Sequence, residues 1–209
     1  MGRYTGPVCR LCRAEGVQLF LKANRCLSSK CAITKKKPPP GVRAKKRAPK
    51  TSDYGVGLRE KQKVKRMYGL LEKQFYNTFK KAARKKGKTG DNLIIDLEKR
   101  LDNILLISNF ASSRYQARQL VSHGHFLVNG KKVNIASFTV RVGDTIQAKE
   151  KSKNLSVIRD SLKNISKKGA PSWIEIDENE VKAKITSIPT REEIPLPANE
   201  QLIVELYSK

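Results

Sequence analysis

Residues 1–50 hold fourteen Lys or Arg against a single acid, Glu15. A stretch so cationic repels itself and is short of the apolar side chains that would give it a core. It can take a defined shape only if something else draws it together. All four cysteines of the 209-residue chain lie inside it, in CRLCRAEGVQLFLKANRCLSSKC from Cys9 to Cys31. Four cysteines support two disulfides or one tetrahedral metal site, and the compartment decides between them. MGRYTGPVCRLCR has charges at Arg3, Arg10 and Arg13 and no apolar run of signal-peptide length, so the chain reads as cytoplasmic with reduced thiols.

Cys9 and Cys12 have C-x2-C spacing, Cys26 and Cys31 have C-x4-C spacing, and thirteen residues separate the pairs. Knuckles of this kind hold one structural Zn2+. Arg10, Arg13, Arg25 and Lys30 favour the thiolates that bind it. The alternative is four unpaired thiols or a partly lost ligand set, because the second pair is wider than a tight knuckle. No His or carboxylate suggests an open coordination position, which points away from a catalytic zinc.

After Cys31 comes ITKKKPPPGVRAKKRAPK, whose consecutive prolines favour an extended path. Lys35, Lys36, Lys37, Arg43, Lys45, Lys46, Arg47 and Lys50, with Arg3, Arg10 and Arg13 before them, make a basic arm suited to phosphates. The whole chain agrees, with 44 Lys plus Arg, 19 Asp plus Glu, a formal charge of +25 and a pI of about 10.1, the profile of a nucleic-acid binder. A membrane is not the expected partner. Position 6 is Gly where myristoylation needs Ser or Thr, and no stretch approaches a transmembrane span. From Ser172 to Lys209 four basic residues face eight acidic ones, which suits that end to protein contacts.

TSDYGVGLREKQKVKRMYGLLEKQFYNTFKKAARKKG offers Thr51, Ser52 and Asp53 as N-caps and closes on Gly87. Val64, Met67, Leu71, Phe75 and Phe79 recur at helical steps and predict one apolar face. DNLIIDLEKRLDNILLISNF predicts a second helix capped by Asp91, with Leu93, Leu97, Leu101, Ile104 and Leu105 on one side. Ser112 or Ser113 then caps a short helix, Gly124 turns the chain, residues 125–128 form a strand, Asn129-Gly130 makes a hairpin and residues 131–133 return. Gly143-Asp144 turns into residues 145–148, and residues 172–176 and 182–188 alternate as further strands. The fold class is therefore α+β: an N-terminal zinc knuckle and basic extended arm, a helical domain, and a mixed domain with antiparallel strands. Arg114 and Arg118 lie one turn apart beside Lys131 and Lys132 of the hairpin, a compact cationic surface that suits structured RNA. His123 and His125 have no carboxylate or cysteine set beside them and read as turn or contact residues. No Gly-rich phosphate loop or nucleophile-base set appears, so the chain does not read as an enzyme.

RLDNILLISNFASSRYQARQLVSHGHFLVNGKKVNI resembles the S4-type RNA-binding module, named after the bacterial small-subunit ribosomal protein four family. SDYG, LREKQKVKRMYG, GDNL, PSWIEID and PTREEIPLPANEQLIVELYSK resemble the flanks of that family in the same order, over nearly the whole chain. The cysteine segment is similar to the zinc-containing form of the family. The sequence departs from the family where VRA follows Pro38 to Gly41 in place of a glutamine- or methionine-histidine-glycine. The resemblance implies a zinc knuckle and arm at 1–50, a helical domain at 51–98 completed by 199–209, and a mixed domain at 99–198 with the module at about 99–161. It implies a structural constituent of the small ribosomal subunit and a primary binder of 16S-type rRNA. Such a protein joins helices of the 5′ domain, nucleates assembly of the body and contributes to translational fidelity. The implied neighbours are ribosomal proteins five and three and messenger RNA where it enters the subunit, with no homo-oligomer. The resemblance also implies RNA contacts at Ser52, Tyr54, Arg59, Lys63, Arg66, Arg100, Gln116, Gln119, His123 and Asn129, beside the cations already named.

Overall fold

The computed structural model describes residues 4–41, 51–163 and 171–208. The expectations for Arg3, Arg43, Lys45, Lys46, Arg47 and Lys50, and for the VRA at 42–44, lie outside the described residues. The chain divides into two units, Met1–Leu93 with Leu196–Lys209, and Ile94–Pro195.

The first unit holds α1 (Val8–Glu15), α2 (Asn24–Leu27), α3 (Asp53–Met67), α4 (Glu72–Ala83), the start of α5 (Thr89–Glu98) and the final helix α10 (Glu200–Ser208). Ser52 Oγ accepts the Gly55 N–H at 3.2 Å and caps α3. At the other end Gly69 takes a φ of 62°, so that its N–H reaches the Arg66 carbonyl at 3.1 Å and the Leu70 N–H reaches Lys65 at 2.9 Å. This Schellman closure ends the helix and splits the apolar row in two. Val64 and Met67 are buried on α3 and Phe75 and Phe79 on α4, while Leu71 lies at the junction and is 42% exposed. Periodicity alone does not register a left-handed glycine between two helices of similar phase.

The terminal helix α10 packs on α3. A Cβ at Gly57 would lie 3.2 Å from the Leu202 carbonyl oxygen and 3.5 Å from Leu206 Cβ, so the bare backbone permits this approach. Tyr207 on α10 meets Phe79 with ring centroids 4.5 Å apart and donates to Glu72 Oε1 at 3.1 Å. Burial pushes the Glu72 carboxyl up, but hydrogen bonds from Lys61 and Lys65 outweigh it and bring the pKa down to about 2.

The second unit holds the rest of α5, α6 (Leu101–Ile107), α7 (Arg114–Ser122), α8 (Glu150–Lys153), α9 (Ser156–Leu162) and a five-stranded antiparallel sheet. The strands are β1 (Phe126–Val128), β2 (Lys131–Lys132), β3 (Thr145–Ala148), β4 (Ile174–Asp177) and β5 (Lys182–Ile185), in the order β2-β1-β3-β5-β4. Asn129 and Gly130 take φ values of 49° and 74°, the left-handed pair that a two-residue hairpin turn requires. Leu101, Leu105, Phe110, Val121, Phe126, Ile146 and Trp173 belong to the core between helices and sheet. Helices over an antiparallel sheet are the α+β class that the alternating and helical patterns predict.

The helix predicted from Asp91 onward begins at Thr89 and breaks at Arg100, which is extended with a ψ of 138°. The cause lies far along the chain. The Lys99 carbonyl accepts the Val140 N–H at 2.9 Å, and the Leu101 and Asp102 N–H groups donate to Phe138 and Ala136 at 2.8 and 3.1 Å. These bonds occupy backbone groups that a continuous helix would have paired internally. Within the first unit, Gly57→Val is expected to overpack the contact between α3 and α10 and destabilise by about 1–3 kcal/mol, measured by urea unfolding.

Candidate nucleic-acid interface

The residues named as RNA contacts fall into two groups, those tied into the protein and those presented outward. In the first unit Glu15, at the end of α1, has a fully buried side chain. Its Oε1 accepts from Arg66 Nη1 and lies 3.6 Å from Arg59 Nη1, and Lys63 pairs with Glu60. Burial raises the Glu15 carboxyl pKa, and Arg66, Arg59 and Lys63 act against that rise. Ser52 is occupied as the cap of α3, whereas Tyr54 is 62% exposed. Arg10, Lys35, Lys36 and Lys37 are exposed, and Arg13 Nη1 donates to the Pro38 carbonyl at 3.1 Å. Pro7, Cys9, Arg10 and Arg13 face Pro38 to Gly41 across an open groove of about 500 Å³.

In the second unit the decisive group is Asp102, buried at 1% exposure. Arg100 grips it with two hydrogen bonds, Nε to Oδ1 at 3.1 Å and Nη2 to Oδ2 at 2.9 Å, and Arg118 Nη2 reaches Oδ2 at 2.7 Å. Arg114 Nε donates to Asn103 Oδ1 at 2.8 Å, and Asn103 in turn bonds Glu98. The two arginines read from the sequence as a joint contact surface are thus both engaged with α6. Gln116 Oε1 accepts from the Ser112 N–H and Oγ at 2.6 and 2.7 Å, while Ser113 Oγ caps α7 through the Gln116 N–H. Asn129 donates to Asp144 at 2.8 Å and accepts the Thr145 N–H at 2.9 Å, which pins the hairpin to β3. Lys131 and Lys132 at the hairpin, with Gln119 and His123 at the end of α7, are exposed. His125 Nδ1 lies 3.0 Å from Ser152 Oγ, and burial, His123 and Lys149 hold its pKa down.

One cationic surface was absent from the sequence-based set. Lys73, Lys80, Lys81, Arg84, Lys85, Lys86 and Lys88 are exposed on and after α4, with no acid between Glu72 and Asp91. Lys80 Nζ lies 4.6 Å from the centre of the Tyr76 ring. The acid-free run was itself the available signal.

Cys12, Cys26 and Cys31 are buried and Cys9 is half-buried. Among the described residues no three or more His, Cys, Asp or Glu side chains form a group able to hold a metal ion. The donor chemistry nevertheless suits zinc. The Lys22 N–H donates to Cys26 Sγ at 3.3 Å and Gln18 Nε2 to Cys31 Sγ at 3.5 Å, as outer-shell donors do to metal thiolates. Burial raises the Cys12 thiol pKa, a backbone hydrogen bond from Leu19 acts against that rise, and Cys26, Cys9 and Cys31 add to it. The Thr34 N–H is the main cause that lowers Cys31. Among the described residues no helix is long and apolar enough to cross a membrane.

Residues 3–98 match the family described as the ribosomal protein S4/S9 N-terminal domain, and residues 99–146 match the S4 domain. The chain is 55% identical to the small ribosomal subunit protein uS4 of Geotalea daltonii over 209 residues, all of both chains. It is 53% identical to the proteins of that name from Desulfatibacillum aliphaticivorans and Geobacter sulfurreducens, again over the full length of each.

The geometry at Asp102 sets a stability test. Asp102→Ala, which strands Arg100 and Arg118 beside each other, is expected to lower stability by about 3–5 kcal/mol. Arg118→Ala leaves Arg100 in place and is expected to cost about 1–3 kcal/mol. Urea unfolding of both variants checks the order, and an Arg118→Ala chain as stable as the original would remove the structural role.

Proposed function

The chain belongs to the small ribosomal subunit protein uS4 family, and from that premise we propose that it binds small-subunit 16S-type rRNA as a primary assembly protein, holding several helices of the 5′ domain together. It is a ribosomal protein rather than an enzyme and works in the cytoplasmic ribosome. The observation that carries the binding reading is the division of its cations. Arg66, Arg100 and Arg118 are turned onto carboxylates, whereas Lys35 to Lys37, the α4 run, Lys131 and Lys132 are exposed.

In this reading the exposed lysines and arginines displace counterions from closely packed phosphates, which supplies most of the affinity. Shape supplies the selectivity. The hairpin lysines stand on a turn pinned by Asn129, and Gln119 and His123 stand at the end of a capped helix, so their spacing is set before RNA arrives. Cys9, Cys12, Cys26 and Cys31 would hold one structural Zn2+, which when bound ties the two knuckles into a single unit. The reading extends to fidelity near the path of messenger RNA and to proteins five and three of the subunit. Exposed Glu175, Asp177, Glu178 and Glu180 at and after β4 support a protein-facing role for the C-terminal part.

Binding to the transcribed 5′ domain, beside an unrelated structured RNA of equal length and across a salt series, tests the main claim. A preference for the 5′ domain that persists at high salt is expected. Equal affinities that fall together with salt would leave only phosphate attraction. For zinc, metal analysis of the reduced protein is expected to give about one equivalent, and less than about half an equivalent counts against the site.

A further inference from the structure

Glu15 is the only acid in the first 52 residues, and both its position in the helix and its burial are unfavourable for a carboxylate. It is the last residue of α1, where the negative end of the helix dipole opposes a carboxylate. Its side chain is fully buried, and its Oε2 has no hydrogen-bond partner among the described residues. Solvation does not account for a carboxylate there, and its surroundings on α3 do. Arg66 donates to Oε1, Arg59 lies 3.6 Å from the same atom, and α1 packs on α3 at this point. Both helices are cationic, α1 through Arg10 and Arg13 and α3 through Arg59, Lys61, Lys63, Lys65 and Arg66. Without a carboxylate between them they would repel.

The same helix makes a second connection. Arg13, two residues before Glu15, donates to the Pro38 carbonyl and ties the root of the basic arm to α1. A continuous path therefore runs from α3 through Glu15 and α1 to Pro38. We infer that Glu15 is a positioning residue for RNA binding, which registers the cysteine segment and the root of the arm on α3 and withholds Arg66 from indiscriminate phosphate contact. This inference rests on the rRNA-binding reading above.

The test uses the full chain with Glu15→Gln, which keeps the shape and removes the charge, and Glu15→Asp, which keeps the charge. Affinities for the transcribed 5′ domain and for an unrelated structured RNA are measured with urea unfolding of each variant. For Glu15→Gln the 5′-domain affinity is expected to fall about tenfold, while affinity for the unrelated RNA holds or rises, since the chain gains one net positive charge and Arg59 and Arg66 are released. Glu15→Asp is expected to keep most of the preference. A purely structural role would lower both affinities in proportion to the folded fraction, and that outcome overturns the inference. So does a Glu15→Gln chain whose preference stays within about twofold of the original. If the unaltered chain shows no preference, the functional reading falls and takes the inference with it.

Discussion

A chain with a formal charge of +25 folds against its own repulsion. Two like charges 4 Å apart near a protein surface oppose each other by about 4 kcal/mol. A pair of arginines can share a partly buried position only with an anion between them. Each unit contains such an arrangement. Glu15 lies between Arg59 and Arg66 in one, and Asp102 between Arg100 and Arg118 in the other. In the first unit the carboxylate lets α1 approach α3. In the second it holds α7 to α6 beside the point where the helix breaks.

These pairs also decide which cations remain for a partner. An arginine bound to a buried carboxylate has lost much of its freedom and part of its field. The lysines of the β1–β2 hairpin and the cations of the acid-free run from Lys73 to Lys88 stand in solvent. The hairpin lysines stand on a turn closed by Asn129, after a helix capped by Ser113. A charged surface on a rigid support loses little freedom when it meets a rigid RNA, and that favours recognition of shape over simple attraction.

The cysteine segment follows the same economy on a smaller scale. Leu19 and Leu21 are buried, so it has the beginnings of a core, but too little to fold a stretch with so much charge. Hydrogen bonds from Lys22 and Gln18 to sulfur, the Glu15 clamp and the Arg13 bond to Pro38 supply further constraints. Each acts over a few ångströms and orients a group that also carries charge.

Features whose chemistry closes within a few residues could be read directly from the chain. Ser52 and Ser113 cap their helices, Asn129-Gly130 makes the hairpin turn, and the buried rows on α3, α4 and α6 follow helical spacing. The acid-free run after Glu72 was equally visible, although its place on an exposed face was not. Pairings between distant residues could not be read in this way. Arg118 meets Asp102 across 16 positions and Arg66 meets Glu15 across 51, while the bonds from residues 136–140 break a helix whose apolar pattern continues unbroken. Local pattern records what each residue prefers near its neighbours. Which arginines are tied inward depends on folds of the chain that bring remote charges together, and that is decided only when the whole structure closes.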